Sequence, residues 1–163
     1  MSAKKILMLD LEGVLFVTAC PRTKGTMVKK YPILKNNPLP RPHAKKFLEE
    51  CGRIFDEIIL NTRVAEPLAR KLMQNLFGFM NFGYWSEFGN PCGKATGYEK
   101  FSGDRLVHIE DESPDNPEAK RIMELGHHYV SVRHWGFAAA LEGRQDDELL
   151  KALEKIKGII SRN

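Results

Sequence analysis

An α/β fold with a mostly parallel sheet and helices on both faces is what this sequence predicts. Three observations carry the prediction. Short apolar runs alternate with segments of helical period, in the order strand, excursion, helix, strand, helix, strand, helix, strand, helix, which is the order of crossover-linked layers. The apolar runs lack polar alternation, as expected of parallel strands buried on both faces. Several helical segments stop at a glycine, the residue that most easily adopts a left-handed cap. Right-handed crossovers then put helices on both sides of the sheet. A length of 163 residues suits one domain with a sizeable core.

Taken in order, Ile6–Leu9 is a wholly apolar run and reads as a central strand. Residues 16–40 form an irregular insertion carrying Pro21, Pro32, Pro38 and Pro40, with room for one or two short strands. In RPHAKKFLEEC the period becomes helical: Ala44, Phe47, Leu48 and Cys51 recur on one face, Pro42 sits at the first turn, and Gly52 is expected to close the helix. Ile58–Leu60 reads as the second strand. VAEPLARKLMQNLFG reads as a helix with Leu68, Leu72 and Leu76 on its inner face and Gly78 past its end. Residues 79–101 are rich in glycine and aromatics, with a short strand near Gly83–Trp85. LVHIED is a third strand ending in acids, NPEAKRIMELG a third helix stopped by Gly126, and HYVSV a fourth strand. DDELLKALEKIKGII closes the chain as a helix, with Asp146 or Asp147 as N-cap and Leu149, Leu150, Leu153, Ile156 and Ile160 as its apolar stripe.

Composition narrows the function classes. The net charge is +4, from 25 basic and 21 acidic residues. Without long basic runs, charge does not indicate a nucleic-acid role. Asp10 and Glu12 interrupt the only apolar stretch near the N-terminus, and neither a membrane span nor a secretory leader is expected. Cys20, Cys51 and Cys92 are widely spaced and outside any CxxC. They read as reduced thiols of a cytoplasmic protein.

In open parallel sheets the ligand site lies outside the carboxyl ends of the strands, and polar residues gather there in this sequence. The first strand ends in Asp10 and Glu12, the second in Asn61, Thr62 and Arg63, and the third in Glu110 and Asp111, with Asp115 four residues on. The glycine-flanked GNPCGKATG adds Lys94. Such a set suits attack on phosphorus. A carboxylate forms an aspartyl-phosphate. Mg²⁺, held by one or two carboxylates, cancels the repulsion between that carboxylate and the phosphate. A lysine offsets charge on the transferring group, an amide or hydroxyl donates to a phosphoryl oxygen, and a second acid moves the proton.

DLEGVL resembles the DxDGTL motif of the haloacid dehalogenase superfamily, and EDESPD resembles its GDxxxD metal motif at Asp111 and Asp115. Nucleophile, donor, lysine and metal acid also follow in that superfamily's order. Within it, LPRPHAKKFLEECGRIFDEIILNTRV, the ESP of IEDESP and DDELLKAL resemble the NLI-interacting-factor-like branch, the small phosphatases of the RNA polymerase C-terminal repeat. The resemblance implies a Rossmann-like core with little or no cap domain, Mg²⁺ as cofactor and a phosphorylated substrate with an exposed phosphomonoester. Residue by residue it implies Asp10 as nucleophile, Glu12 as general acid and base that also gives its carbonyl to the metal, and Lys94 with Asn61 or Thr62 on the phosphoryl oxygens. Asp111 would be a metal ligand, with Asp115 behind it. Lys100, in GYEKF, is the rival of Lys94, whose distance to the acidic motif fits better.

Three positions depart from the family's pattern: Glu12 and Glu110 stand where Asp is usual, and Asn61 where Thr or Ser is usual. Glu12 adds a methylene, and a misplacement of about 1 Å can cost on the order of 10²-fold in rate. Two alternatives follow: a catalytically impaired phosphate-binding or scaffold protein, and a phosphotransferase with an acceptor other than water.

Overall fold

The computed structural model describes residues 3–17, 38–86 and 97–162. Five strands form one parallel sheet: β1 (Lys5–Leu9), β4 (Glu57–Thr62), β5 (Gly83–Ser86), β6 (Arg105–Glu110) and β7 (His128–Ser131), in the order β5-β4-β1-β6-β7. β1 is central, and the chain leaves it first toward β4 and β5, later toward β6 and β7. The order therefore reverses at β1, and its carboxyl end faces the crevice where such sheets bind ligands. Two short strands, β2 (Phe16–Val17) and β3 (Leu39–Pro40), pair antiparallel beside the main sheet.

The side-chain alternation of the strands divides the core in two. Leu7 and Leu9, Ile58 and Leu60, and Val107 and Ile109 face helices α1 (Ala44–Ile54), α2 (Glu66–Phe77) and α5 (Glu148–Ser161). Ile6, Met8, Ile59 and Leu106 face the other way, against Ile122 of α3 (Pro117–Glu124) and a 3₁₀ turn at Tyr98–Phe101. A further short helix, α4 (Phe137–Leu141), follows β7. Each large side chain buried in these layers, Phe47 and Leu48 among them, contributes about 1.5–3 kcal/mol of apolar transfer.

The helices differ from expectation in instructive places. α1 does not close at Gly52; it continues to Ile54, and the Phe55 N–H bonds the Cys51 carbonyl at 2.9 Å. The extra turn brings Phe55 into the core. Pro42 precedes the N-cap, His43, which has φ 66°. In α2 the buried stripe is Ala69, Met73 and Phe77, not the leucines: Leu72 and Leu76 flank it, and Leu68 is exposed. Gly78 does end α2 with φ 65°. At α5 Asp147 is the N-cap residue, but the Glu148 N–H donates to Asp146 Oδ1 at 3.2 Å. Cys51 is buried in α1, and burial, with Glu50 adding to it, holds its thiol far above the ordinary range. Among the described residues no helix is long and apolar enough to cross a membrane.

Candidate active site

Sheet register assembles the site. Leu9 pairs with Leu60 on one side and Ile109 on the other. The next residues, Asp10, Asn61 and Glu110, therefore lie abreast at the carboxyl edge of β4, β1 and β6. The Asp10 N–H extends the ladder to the Ile109 carbonyl at 3.2 Å. Alternation points these three side chains to the face of Met8, Ile59 and His108. All three are buried: Asp10 is 8%, Asn61 0% and Glu110 3% exposed.

Asp111 continues past the end of β6, and its N–H donates to Glu110 Oε1 at 3.3 Å. Carboxylate oxygens of Asp10, Glu110 and Asp111 lie within 4.8 Å of one another. Three hard oxygen donors converging on one point fit Mg²⁺, which takes carboxylates and keeps several waters. Glu12 and Asp115 do not join this group of three. Glu12 is half-buried in the turn after β1, bridged to Phe16. Asp115 is exposed on the turn leading to α3, its N–H bonded to Ser113 Oγ at 3.2 Å. Glu110 is the acid that sequence reasoning left out of the ligand set. The signal was its parity with Asp10 once the strands are aligned.

Asn61 and Thr62 part company. Asn61 lies on Asp10's face and donates from Nδ2 to the Tyr98 hydroxyl at 2.5 Å. Thr62 has the opposite parity and is 2% exposed, and its Oγ1 accepts the Val64 N–H at 3.2 Å. Lys94 lies outside the described residues. Lys100 sits in the 3₁₀ turn with Nζ 3.8 Å from the Trp85 ring centre and 4.8 Å from that of Phe101, a cation–π arrangement.

Gly13, Arg41, His134 and Trp135 complete the surroundings; Gly13 and Arg41 fall within the motifs quoted from the sequence but have no role assigned there, and His134 and Trp135 are not singled out by it. The His134 Nδ1 pairs with Asp111 Oδ2 at the mouth, where the imidazole is more than half exposed. Gly13 turns with φ 79°, and a Cβ there would stand 2.1 Å from Asp111 Oδ2 and 2.5 Å from His134 Nδ1. Only glycine leaves those two side chains room to meet. The Gly13 carbonyl accepts the Trp135 N–H at 2.7 Å. Arg41 is 2% exposed. Its Nε and one terminal nitrogen grip both oxygens of Asp146 at 2.8 and 3.0 Å. Its terminal nitrogens also donate to the carbonyls of Gly13 (3.2 Å), Val14 (3.3 Å) and Arg133 (2.7 Å). One guanidinium thus ties the turn after β1 to the segment after β7.

Among solved structures, the chain is similar to the HAD domain of the effector protein Lem4 from Legionella pneumophila, with a TM-score of 0.61 and 15% identity over 98% of this chain and 97% of that one. It is also similar to a haloacid dehalogenase-like family hydrolase from Streptococcus pneumoniae, with a TM-score of 0.56 and 15% identity over 94% of this chain and 98% of the other. No protein-family model matches the chain, and no curated protein matches it.

Proposed function

We propose that this chain, whose fold is haloacid dehalogenase-like, is a Mg²⁺-dependent phosphatase acting through an aspartyl-phosphate on an exposed phosphomonoester. One observation carries the reading. Asp10, at the carboxyl end of the central strand, stands abreast of Glu110 and Asn61, and its carboxylate groups with those of Glu110 and Asp111. Such a set holds a cation and an anion side by side. Asp10, Glu110 and Asp111 would hold the Mg²⁺, which when bound supplies the positive charge that lets a phosphate approach a carboxylate.

The residues then divide the work. A carboxylate oxygen of Asp10 attacks phosphorus, and the bond from phosphorus to the leaving oxygen breaks. Glu12, two residues on in the adjoining turn, gives its proton to that oxygen. It then takes a proton from the water that attacks the aspartyl-phosphate, releasing phosphate and restoring Asp10. Asn61 supplies an amide N–H to a phosphoryl oxygen, which its parity with Asp10 favours over Thr62. Lys94 supplies the lysine charge, since Lys100 is held over Trp85.

Hydrolysis of an aryl phosphate with and without Mg²⁺ tests the reading. Wild type is expected to turn over only with Mg²⁺, and Asp10→Asn to be inactive. Glu12→Asp reports how well the longer acid serves. A wild type that is silent while Glu12→Asp is active would replace the enzyme by a phosphate-binding protein, the reading to which the Glu12 and Asn61 departures point.

A further inference from the structure

Beneath the carboxyl edge, on the face of α3, lies a buried polar relay whose middle members, Tyr98 and His108, the proposed reaction does not use. His108 is wholly buried in β6, its ring stacked on Tyr129 with centres 5.5 Å apart and planes within 10°. His108 Nδ1 is 2.9 Å from the Tyr98 hydroxyl. That hydroxyl accepts from Asn61 Nδ2 at 2.5 Å. On the other side of the ring, Nε2 stands 3.6 Å from Glu110 Oε2, longer than a hydrogen bond yet a close electrostatic contact away from water. Tyr98 thus reaches under β1, from the end of β4 to β6. Its ring is boxed by Trp85, Phe101 and His127 at 6.1–6.3 Å, and its carbonyl lies 3.3 Å from His127 Nε2.

The direction of this relay is set by its end. An imidazole with one proton has one donor and one acceptor nitrogen. With the hydrogen on Nε2, which faces the carboxylate, Nδ1 accepts from the Tyr98 hydroxyl and that oxygen accepts from Asn61. This tautomer is an assignment from the contacts. Buried polar groups cost free energy unless paired, and an aliphatic residue at 108 would match Leu106, which shares its face. The two residues at the ends of the relay, Asn61 and Glu110, are the two that flank Asp10.

We infer that Tyr98 and His108 are positioning residues which hold the Glu110 carboxylate toward the cation site. The inference rests on the reading of Glu110 as a Mg²⁺ ligand. Groups that orient a ligating side chain typically change metal affinity by about 10–100-fold when removed. Tyr98→Phe deletes one oxygen and frees the His108 tautomer.

Titration calorimetry with MgCl₂ tests it on wild type, Glu110→Gln, Tyr98→Phe and His108→Phe, with thermal melts of each in the absence of Mg²⁺ as the measure of folding. Wild type is expected to bind, Glu110→Gln to bind far more weakly, and Tyr98→Phe to lose about tenfold in affinity while melting as a native protein. If wild type does not bind Mg²⁺, the cofactor reading fails and the inference with it. If Glu110→Gln binds as wild type does, the ligand assignment fails. If wild type and Glu110→Gln differ but the folded Tyr98 and His108 variants bind like wild type, the relay alone is overturned. The ¹⁵N shifts of the His108 ring in wild type give a readout that needs no variant: the Nε2–H tautomer is expected, and the Nδ1–H tautomer overturns the inference.

Discussion

Two polar clusters flank the candidate site, one on each face of the sheet, and they are built differently. On the side of α1 and α5, the Arg41 guanidinium holds main chain: it bonds the carbonyls of Gly13, Val14 and Arg133 and closes on the Asp146 carboxylate. On the side of α3, Tyr98 and His108 hold side chains, joining Asn61 to Glu110. The first cluster is ionic and fixes where two loops run. The second is two single hydrogen bonds and one close electrostatic contact, and it fixes how individual side chains point. Loss of the first is therefore expected to be felt in stability and in the path of the backbone. Loss of the second is expected to be felt in ligand affinity, with the fold retained.

Gly13 is where the main-chain cluster meets the acids, and outside the reacting residues themselves changing it has the largest expected effect on function. Gly13→Ala forces a Cβ into Asp111 and His134 from a φ of 79°. The strain of the left-handed backbone alone is about 1–2 kcal/mol. Displacing Asp111 by about 1 Å adds a loss of about 10²-fold in kcat/KM. Aryl phosphate kinetics check this, and activity within a few-fold of wild type would mean that the loop path does not set the acids.

The largest expected effect on stability is at Arg41. Arg41→Met leaves Asp146, which is 12% exposed, without its cation, and breaking one partner of such a pair costs about 3–5 kcal/mol. Arg41→Lys keeps the charge, but one ammonium cannot span the positions of the planar fork. An intermediate loss of about 2 kcal/mol is expected for it. Urea unfolding separates the three proteins. A Lys variant as stable as wild type would mean that charge, not geometry, holds the loops.

How much of this was legible in the sequence follows from what each feature depends on. The strands were legible because a strand buried on both faces has no choice but to be apolar, and Asp10 and Glu110 marked where β1 and β6 stop. Gly78 marked the end of α2 because the left-handed cap excludes most other residues. The inner face of α2 was misread because three leucines in register look like a core stripe, while Ala69, Met73 and Phe77 fit the space against the sheet. The grouping of Glu110 with Asp10 depends on the register of β1 against β6, which is a property of paired strands and not of either run alone. Arg41 and His134 were invisible for the same reason: their partners lie 105 and 23 residues away. A guanidinium before a helix reads as solvated until something distant closes over it. The choice between Asn61 and Thr62 was open because both follow an apolar run; alternation decides which one shares Asp10's face. Lys94 lies outside the described residues, so its place rests on the sequence.

The smallest expected effect sharpens the contrast from the rim of the ionic cluster. Glu148, beside Asp146 at the start of α5, accepts the Arg133 N–H at 3.1 Å, and Lys151 lies 3.4 Å from its other oxygen. The Arg133 N–H, with Lys151 helping, holds its carboxyl below the ordinary value of 4.5. A carboxyl lowered on folding stabilises the native state above its unfolded pKa, and that contribution fades as the pH falls through the folded value. Glu148→Gln is therefore expected to cost up to about 1 kcal/mol at pH 7, and the gap between the two proteins to narrow as the pH falls below the ordinary value of 4.5. Urea unfolding across that range measures it. A gap that does not narrow as the pH falls would assign the loss to packing rather than to the charge of this carboxylate. A gap that closes would show the Arg133 segment to be held by two anions, with Glu148 on its N–H and Asp146, through Arg41, on its carbonyl.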